Sequence, residues 1–348
     1  MDTRERILAA LRWQEPDRVP LTIYDVMFPR GDKERLLRAE GVGLVAALPV
    51  QRSRYRQVEV VDREYWQAGR KLVRRTMRTP VGEIWQTLDP ESPYEHGLPW
   101  IVEHFIKGPD DYRVMEYVVE DAVYTDNYEA IREADRRLGG DGVVILALFR
   151  MPIQQMVYLM LGMEQFSLDY HFRRDLIDSL NEKMLARYNE LFELAAAAPV
   201  EVIRFGDNIT CDVVGRERFA RYCPPVYSDL KRRLAGSDKL VAVHMDGRLA
   251  GLAGAIAEAE IDVVEAFTPP PVGDVSVSEA RRAWPEKALW LNFTSSYVAE
   301  TDGAIEQHAR QLLAEAGGRR GFVLGVTENA PPADLERCLG AISRVLRE

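Results

Sequence analysis

The chain has 348 residues, 47% of them hydrophobic and 29% charged, with a formal net charge of −10 and a pI near 5.3. This is ordinary globular usage, which excludes a disordered chain. The acidic balance argues against a nucleic-acid surface, since such surfaces are usually basic.

The charged, amphipathic opening lacks the apolar stretch of a secretory signal. No run of about 18 apolar residues is present to suggest a membrane span. Cys211, Cys223 and Cys338 include no C-x-x-C pair and fit a reducing cytoplasm. At this length two domains would be usual, but α/β barrels routinely exceed that prior as one unit.

In chain order, Asp2 followed by Glu5 makes a capping-box start, and Ile7, Leu8 and Leu11 form the apolar stripe of a short helix that ends before Pro16 and Pro20. VPLTIY (19–24) and GVGLVAALPV (41–50) read as buried strands. Residues 57–88 mix β-branched, aromatic and charged residues around Gly69 and Pro80-Val81-Gly82, the pattern of an antiparallel meander. A helix is predicted over 127–137, then the strand GVVILALF (142–149), then a long helical stretch over 151–198 broken near 170–174. Leu176, Leu180, Met184, Tyr188, Leu191 and Phe192 recur there at helical spacing. Five more apolar runs follow at 200–205, 239–245, 261–267, 288–293 and 320–326. A last helix opens after Pro331-Pro332 with Asp334 in its first turn, where a carboxylate suits the helix dipole. Apolar strands alternating with helices mean a parallel sheet covered by helices. Eight such strands, with no G-x-G-x-x-G after any of them, predict one (β/α)8 barrel domain over 1–348, with an N-terminal helix and an inserted antiparallel meander.

Barrel active sites form at the C-terminal strand ends. Polar residues stand there in the second half: Arg204, Asp207 and Asn208; His244 and Asp246; Glu265; Asn292; and Glu328. Residues i and i+2 of a strand point the same way, so His244 and Asp246 can face one ion or one substrate atom. Nitrogen and oxygen donors suit zinc or another divalent metal. Each residue also has a structural reading. His244 can be a strand-end histidine bonded to a loop, Asp207-Asn208 a turn cap, and Glu328 a helix cap. Arg204 and Arg150 can each bind a substrate carboxylate or form a structural ion pair. Cys211 and Cys223 read as small buried residues, and Ser295-Ser296 as a turn. His96 and His104 bracket Pro99-Trp100 in a loop, while His171 and His308 are expected on helix surfaces.

The order of these motifs resembles the uroporphyrinogen decarboxylase superfamily. The resemblance rests on the opening TRERILAALRWQEPDRVP, on RTPVGEIWQ, and on VEVIRFGDNIT with ERFARYCPPVYSDL. VHMDGRLAGLAGAIAEAEIDVVEAF and GFVLGVTENAPPADLERCL extend it to the end of the chain. It implies a (β/α)8 barrel with one deep cleft. Decarboxylases of that superfamily carry R-Q-A-G-R after the first strand and a late Leu-Gly-His-Gly; here the corresponding stretches read TIYDVMFPRGDKE and Leu324-Gly325-Val326-Thr327. Polycarboxylate decarboxylation is therefore not expected. The resemblance implies instead its other branch, zinc-assisted methyltransferases that work with a corrinoid carried by a partner protein. Their His-x-Cys-Gly corresponds to His244-Met245-Asp246-Gly247. On that reading His244, Asp246 and Glu328 hold zinc or another divalent metal, and Asp207 and His244 are catalytic. Asn208, Glu265, Asn292 and Arg204 contact a small-molecule substrate. An N/O/O ligand set would leave the metal a stronger Lewis acid than N/S/S, suited to an ether or amine methyl donor. The alternatives are decarboxylation of another carboxylated small molecule and a barrel that only binds a ligand. A homodimer is compatible with each.

Overall fold

The computed structural model describes residues 1–27, 30–93 and 99–348. The chain divides into two compact units. The first comprises residues 1–49, 128–148 and 198–348, the second residues 50–127 and 149–197.

In the first unit, eight parallel strands among the described residues close into a barrel. They are β1 (Leu21–Tyr24), β2 (Val42–Pro49), β3 (Gly142–Leu148), β4 (Val202–Ile209), β5 (Leu240–Met245), β6 (Val263–Phe267), β7 (Ala288–Asn292) and β8 (Phe322–Val326). β8 pairs back onto β1 with Leu21 opposite Leu324, and β1 pairs with β2. Strands β6, β7 and β8 are buried along their whole length, because a barrel strand has its interior on one face and the helical layer on the other. The eight apolar runs of the sequence are these strands. The opening helix Thr3–Leu11 has the expected capping box, Asp2 accepting from Glu5 N and Glu5 from Asp2 N. The closing helix Pro332–Leu346 carries Asp334 in its first turn.

A side-chain layer fills the barrel under the strand ends. Trp290 Nε1 donates to Thr22 Oγ1 at 2.9 Å. Gly325 leaves room for that pair, since a Cβ there would lie 3.0 Å from Thr22 Oγ1 and 3.2 Å from Trp290 Nε1. Two residues further along β1, on the same face, stands Tyr24.

The second unit contains the expected meander as a four-stranded antiparallel sheet of Glu59–Gln67, Arg70–Thr79, Gly82–Pro93 and Pro99–Glu103. A two-stranded antiparallel pair, Gln51–Tyr55 with Ala122–Asp126, accompanies it. Its helical stretch begins with a short α-helix at Pro152–Gln155, runs through a π-helical turn at Met156–Leu161, and breaks at Arg173, between Gly162–Phe172 and Arg174–Ala197. None of the described helices is long and apolar enough to cross a membrane.

Candidate active site

Four strands of the barrel each send one side chain to a common point. Glu265 on β6 stands in register beside His244 on β5, and Arg204 on β4 beside Ala242, two residues before that histidine. In the closed ring β1 lies opposite β5, so Tyr24 reaches the group from the far wall. Strands β4 and β6, which flank β5, both slip register near their C-terminal ends. Asn208 at φ 50 and Ala266 at φ 58 mark these irregularities. Such slips re-aim side chains at barrel rims, at a cost of about 1–3 kcal/mol for each left-handed non-glycine residue.

Glu265 is the hub. Its Oε2 accepts from His244 Nδ1 at 2.8 Å and lies 3.4 Å from Arg204 Nη1, and its Oε1 accepts from the Tyr24 hydroxyl. Arg204 Nη1 also donates to that hydroxyl at 2.7 Å. On its other side His244 turns Nε2 toward Asp246 Oδ2, 3.6 Å away.

A buried carboxylate survives only with partners, and here it has two cations and a hydroxyl. Burial pushes the Glu265 carboxyl up, but the charges of His244 and Arg204 and the hydrogen bonds outweigh it and hold it at about 2, below the usual 4.5. For His244 burial works against the charged form; Glu265, then the Asp246 contact, prevail and lift it from 6.5 to about 9. The imidazole thus carries both ring protons at neutral pH. Burial likewise drives Tyr24 well above 10.0 and keeps it a neutral phenol. Glu265 is 1% exposed, His244 13% and Asp246 38%. The Nε2 proton therefore sits at the accessible edge of an otherwise sealed cluster, where it can pass to a molecule in the barrel mouth.

The sequence assigned His244, Glu265, Arg204 and Asp246 to one site, and the structure brings these four together. Arg204 is engaged with Glu265 and Tyr24, as in the ion-pair reading. Tyr24 was missed, although it is a polar residue at a strand C-terminus like the others. Asp207, expected to be catalytic, is fully buried, and its Oδ2 accepts from Tyr227 of the helix Pro224–Arg233 at 3.2 Å. Asn208 is half-buried at the β4 irregularity. Asn292 and Glu328 make a separate brace. Asn292 Nδ2 donates to Glu328 Oε1 at 2.7 Å, Asn292 Oδ1 accepts from Thr327 N at 3.0 Å, and Glu328 Oε2 accepts from Ser295 N at 3.1 Å.

The expected metal does not find its ligands. A catalytic zinc takes three protein donors. His244 Nε2 and Asp246 Oδ2 supply two facing atoms, while both oxygens of Glu328 serve Asn292 and Ser295. Among the described residues no group of three or more His, Cys, Asp or Glu is placed to hold a metal ion.

The other histidines and the cysteines sit elsewhere. His308 is buried rather than on the surface, stacked on Tyr297 with ring centroids 3.8 Å apart. His171 is exposed. His104 belongs to the second unit, and His96 lies outside the described residues. Cys223 and Cys338 are buried, and Cys211 is partly so.

The uroporphyrinogen decarboxylase (URO-D) family model matches residues 91–344, the greater part of the chain. The chain belongs to the uroporphyrinogen decarboxylase family. No curated protein matches its sequence. Among solved structures it is similar to a methyltransferase from Methanosarcina mazei, with 14% identity, a TM-score of 0.58 and complete coverage of both chains. A B12-independent methionine synthase from Shewanella sp. W3-18-1 matches with 14% identity and a TM-score of 0.43 over 72% of each chain. At these identities the first likeness speaks to the fold.

Proposed function

We propose that this member of the uroporphyrinogen decarboxylase family is a methyltransferase. It would move a methyl group from an oxygen or nitrogen of a small molecule to a corrinoid carried by a partner protein. The observation that carries the reading is the His244 imidazolium, held charged by buried Glu265 with its second proton at the barrel mouth. The likeness to the M. mazei methyltransferase supports it.

When the methyl–heteroatom bond breaks, its electron pair stays on the oxygen or nitrogen. The Nε2 proton of His244 passes to that atom, and the leaving group departs neutral. A reduced corrinoid, when presented by the partner protein, would supply the electron pair that takes the methyl group. A donor with a pKa near 9 is fully protonated at neutral pH and matches leaving groups of phenolic basicity, near 10. Tyr24 and Arg204 hold Glu265 ionised, and Glu265 holds the proton on His244. Asp246 at the rim orients the Nε2–H. With two facing donors where zinc needs three, no step is assigned to a metal.

Decarboxylation is the weaker reading because Arg204, the cation of the cluster other than His244, is engaged by Glu265 and Tyr24 rather than presented to a substrate carboxylate. The test is an anaerobic assay with reduced cobalamin and a panel of methoxyaromatics and methylated amines. Donor-dependent methylation of the cobalamin is expected, lost in His244→Gln. Carbon dioxide release from a carboxylated substrate, with no methylation from any donor, would overturn the reading.

A further inference from the structure

We infer that the antiparallel meander of the second unit carries an anion site, for the phosphate group of a small phosphomonoester. One face of this sheet is built in cross-strand rows. Glu59, Arg78 and Glu83 make the first, Val61, Thr76 and Trp85 the second, and Arg63, Arg74 and Thr87 the third. They share a face because register partners, and every second residue of a strand, project to the same side. Residues of all three rows line an open groove of about 430 Å³, an ordinary size for a small-molecule site. The whole lining belongs to the second unit, and none of it is a member of the barrel cluster.

The third row is out of balance. Elsewhere in the sheet the cations are matched: Arg75 by Asp62 at 2.7 Å, Lys71 by Glu64 at 2.9 Å, and Arg70 by Asp89. Arg78 lies 3.4 Å from Glu59 and 3.6 Å from Glu83. The carboxylates bordering the groove, Glu64 and Glu83, are thus already engaged. Arg63 and Arg74 stand directly opposite each other, both exposed, and neither meets a carboxylate among the described residues. Like charges in directly opposed positions repel and weaken a strand pair. An anion between the two arginines turns that repulsion into attraction.

Arg74 is held ready for such a guest. Its guanidinium lies 4.1 Å from the centroid of the Trp85 ring and 5.7 Å from that of Tyr65. Stacking uses the flat face of a guanidinium, while its N–H groups lie in the plane and stay available. Opposed Cβ atoms are about 4.5–5.5 Å apart, so two arginine side chains reach one group. A monoester phosphate brings a charge of about −1.5 to −2 and three acceptor oxygens, enough for two guanidinium forks. A carboxylate brings one charge and two oxygens. The second row leaves room beside the arginines for the body of the ester.

The test is calorimetric titration of the full chain with phenyl phosphate, benzenesulfonate and inorganic phosphate. At about pH 8 the ester is a dianion, its second pKa being about 6. Phenyl phosphate should bind most tightly, benzenesulfonate less because it has one charge, and inorganic phosphate less because it lacks the ring. Arg63→Gln and Arg74→Gln should each weaken phenyl phosphate by about tenfold or more, as expected for a hydrogen bond between charged groups. Arg75→Gln, on the opposite face and matched by Asp62, should leave its affinity within about twofold. Without ligand, Arg63→Gln should unfold at the wild-type temperature or above, since a repulsion is removed; an arginine with a structural role would lower it. No binding of phenyl phosphate to the wild type, unchanged affinity in both Arg63→Gln and Arg74→Gln, or an equal loss in Arg75→Gln would overturn the site. Benzenesulfonate binding as tightly as phenyl phosphate would overturn the dianion, and inorganic phosphate doing so would overturn the ester.

Discussion

The hydroxyl of Tyr24 on β1 donates to Oε1 of Glu265 on β6, spanning the interior of the barrel from wall to wall. This bond places a neutral donor beside a buried carboxylate that already holds two cations. The first strand is thereby coupled to the residue that keeps the proton on His244.

Tyr24→Phe removes that donor while preserving the ring. A hydrogen bond to a charged group contributes about 1.5–3 kcal/mol, and urea unfolding should show a loss of that size. His244 should still titrate above its ordinary value, because Glu265 and Asp246 remain. An imidazole titration that fell below 6.5 would show that Tyr24, rather than the carboxylates, sustains the raised pKa.

Glu265→Gln is expected to do the opposite. Burial then acts on His244 without its principal counter-charge, and the imidazole pKa should drop well below about 9. Arg204 also loses its carboxylate, and breaking a buried pair from one side costs about 3–5 kcal/mol. NMR titration of the imidazole reads the first effect and chemical denaturation the second. An unshifted His244 would contradict the hub role of Glu265.

The same pair sets a pH window. His244 has a folded pKa raised from 6.5 to about 9, so its contribution is full below 6.5 and fades as pH rises through 9. Glu265 is lowered from 4.5 to about 2, so its contribution is full above 4.5 and fades as pH falls through 2. Both are complete between about 4.5 and 6.5. Unfolding free energy measured across pH should lose an alkaline component between 6.5 and 9 that is absent from His244→Gln. A variant that keeps that limb would assign it to another group.

All eight barrel strands were legible because a strand buried on both faces reads as a continuous apolar run, and the intervening helices carry their own period. The pair Gln51–Tyr55 with Ala122–Asp126 was not: QRSRY is largely exposed and has no apolar pattern to betray it. Within the site, His244 and Asp246 followed from their i, i+2 spacing. Glu265 was placed at the right strand end, but its role as hub depends on register with its neighbour strand, which periodicity does not set. The burial of Asp207 was not legible, because residues around a register slip do not keep simple alternation, and Asn208 at positive φ lies in that slip. Tyr24 was passed over because a tyrosine closing an apolar run reads as core until the opposite wall is known. Its partners are 180 and 241 residues away.

Glu328 tests the boundary between a ligand and a brace. Its two oxygens accept from Asn292 Nδ2 and Ser295 N, and Asn292 in turn accepts from Thr327 N, so the segment after β8 is tied to the end of β7. Glu328→Gln removes the charge and turns one acceptor into a donor facing another donor. Unfolding free energy should fall by about 1–2 kcal/mol, and amide exchange at Ser295 and Thr327 should speed up. Asn292→Ala should accelerate Thr327 in the same way, because it removes the acceptor directly. Zinc titration of the wild type and Glu328→Gln should give the same curve if Glu328 is a brace. A metal affinity that drops with Glu328→Gln while stability and exchange stay unchanged would mean that the carboxylate serves an ion, and the brace reading would be abandoned.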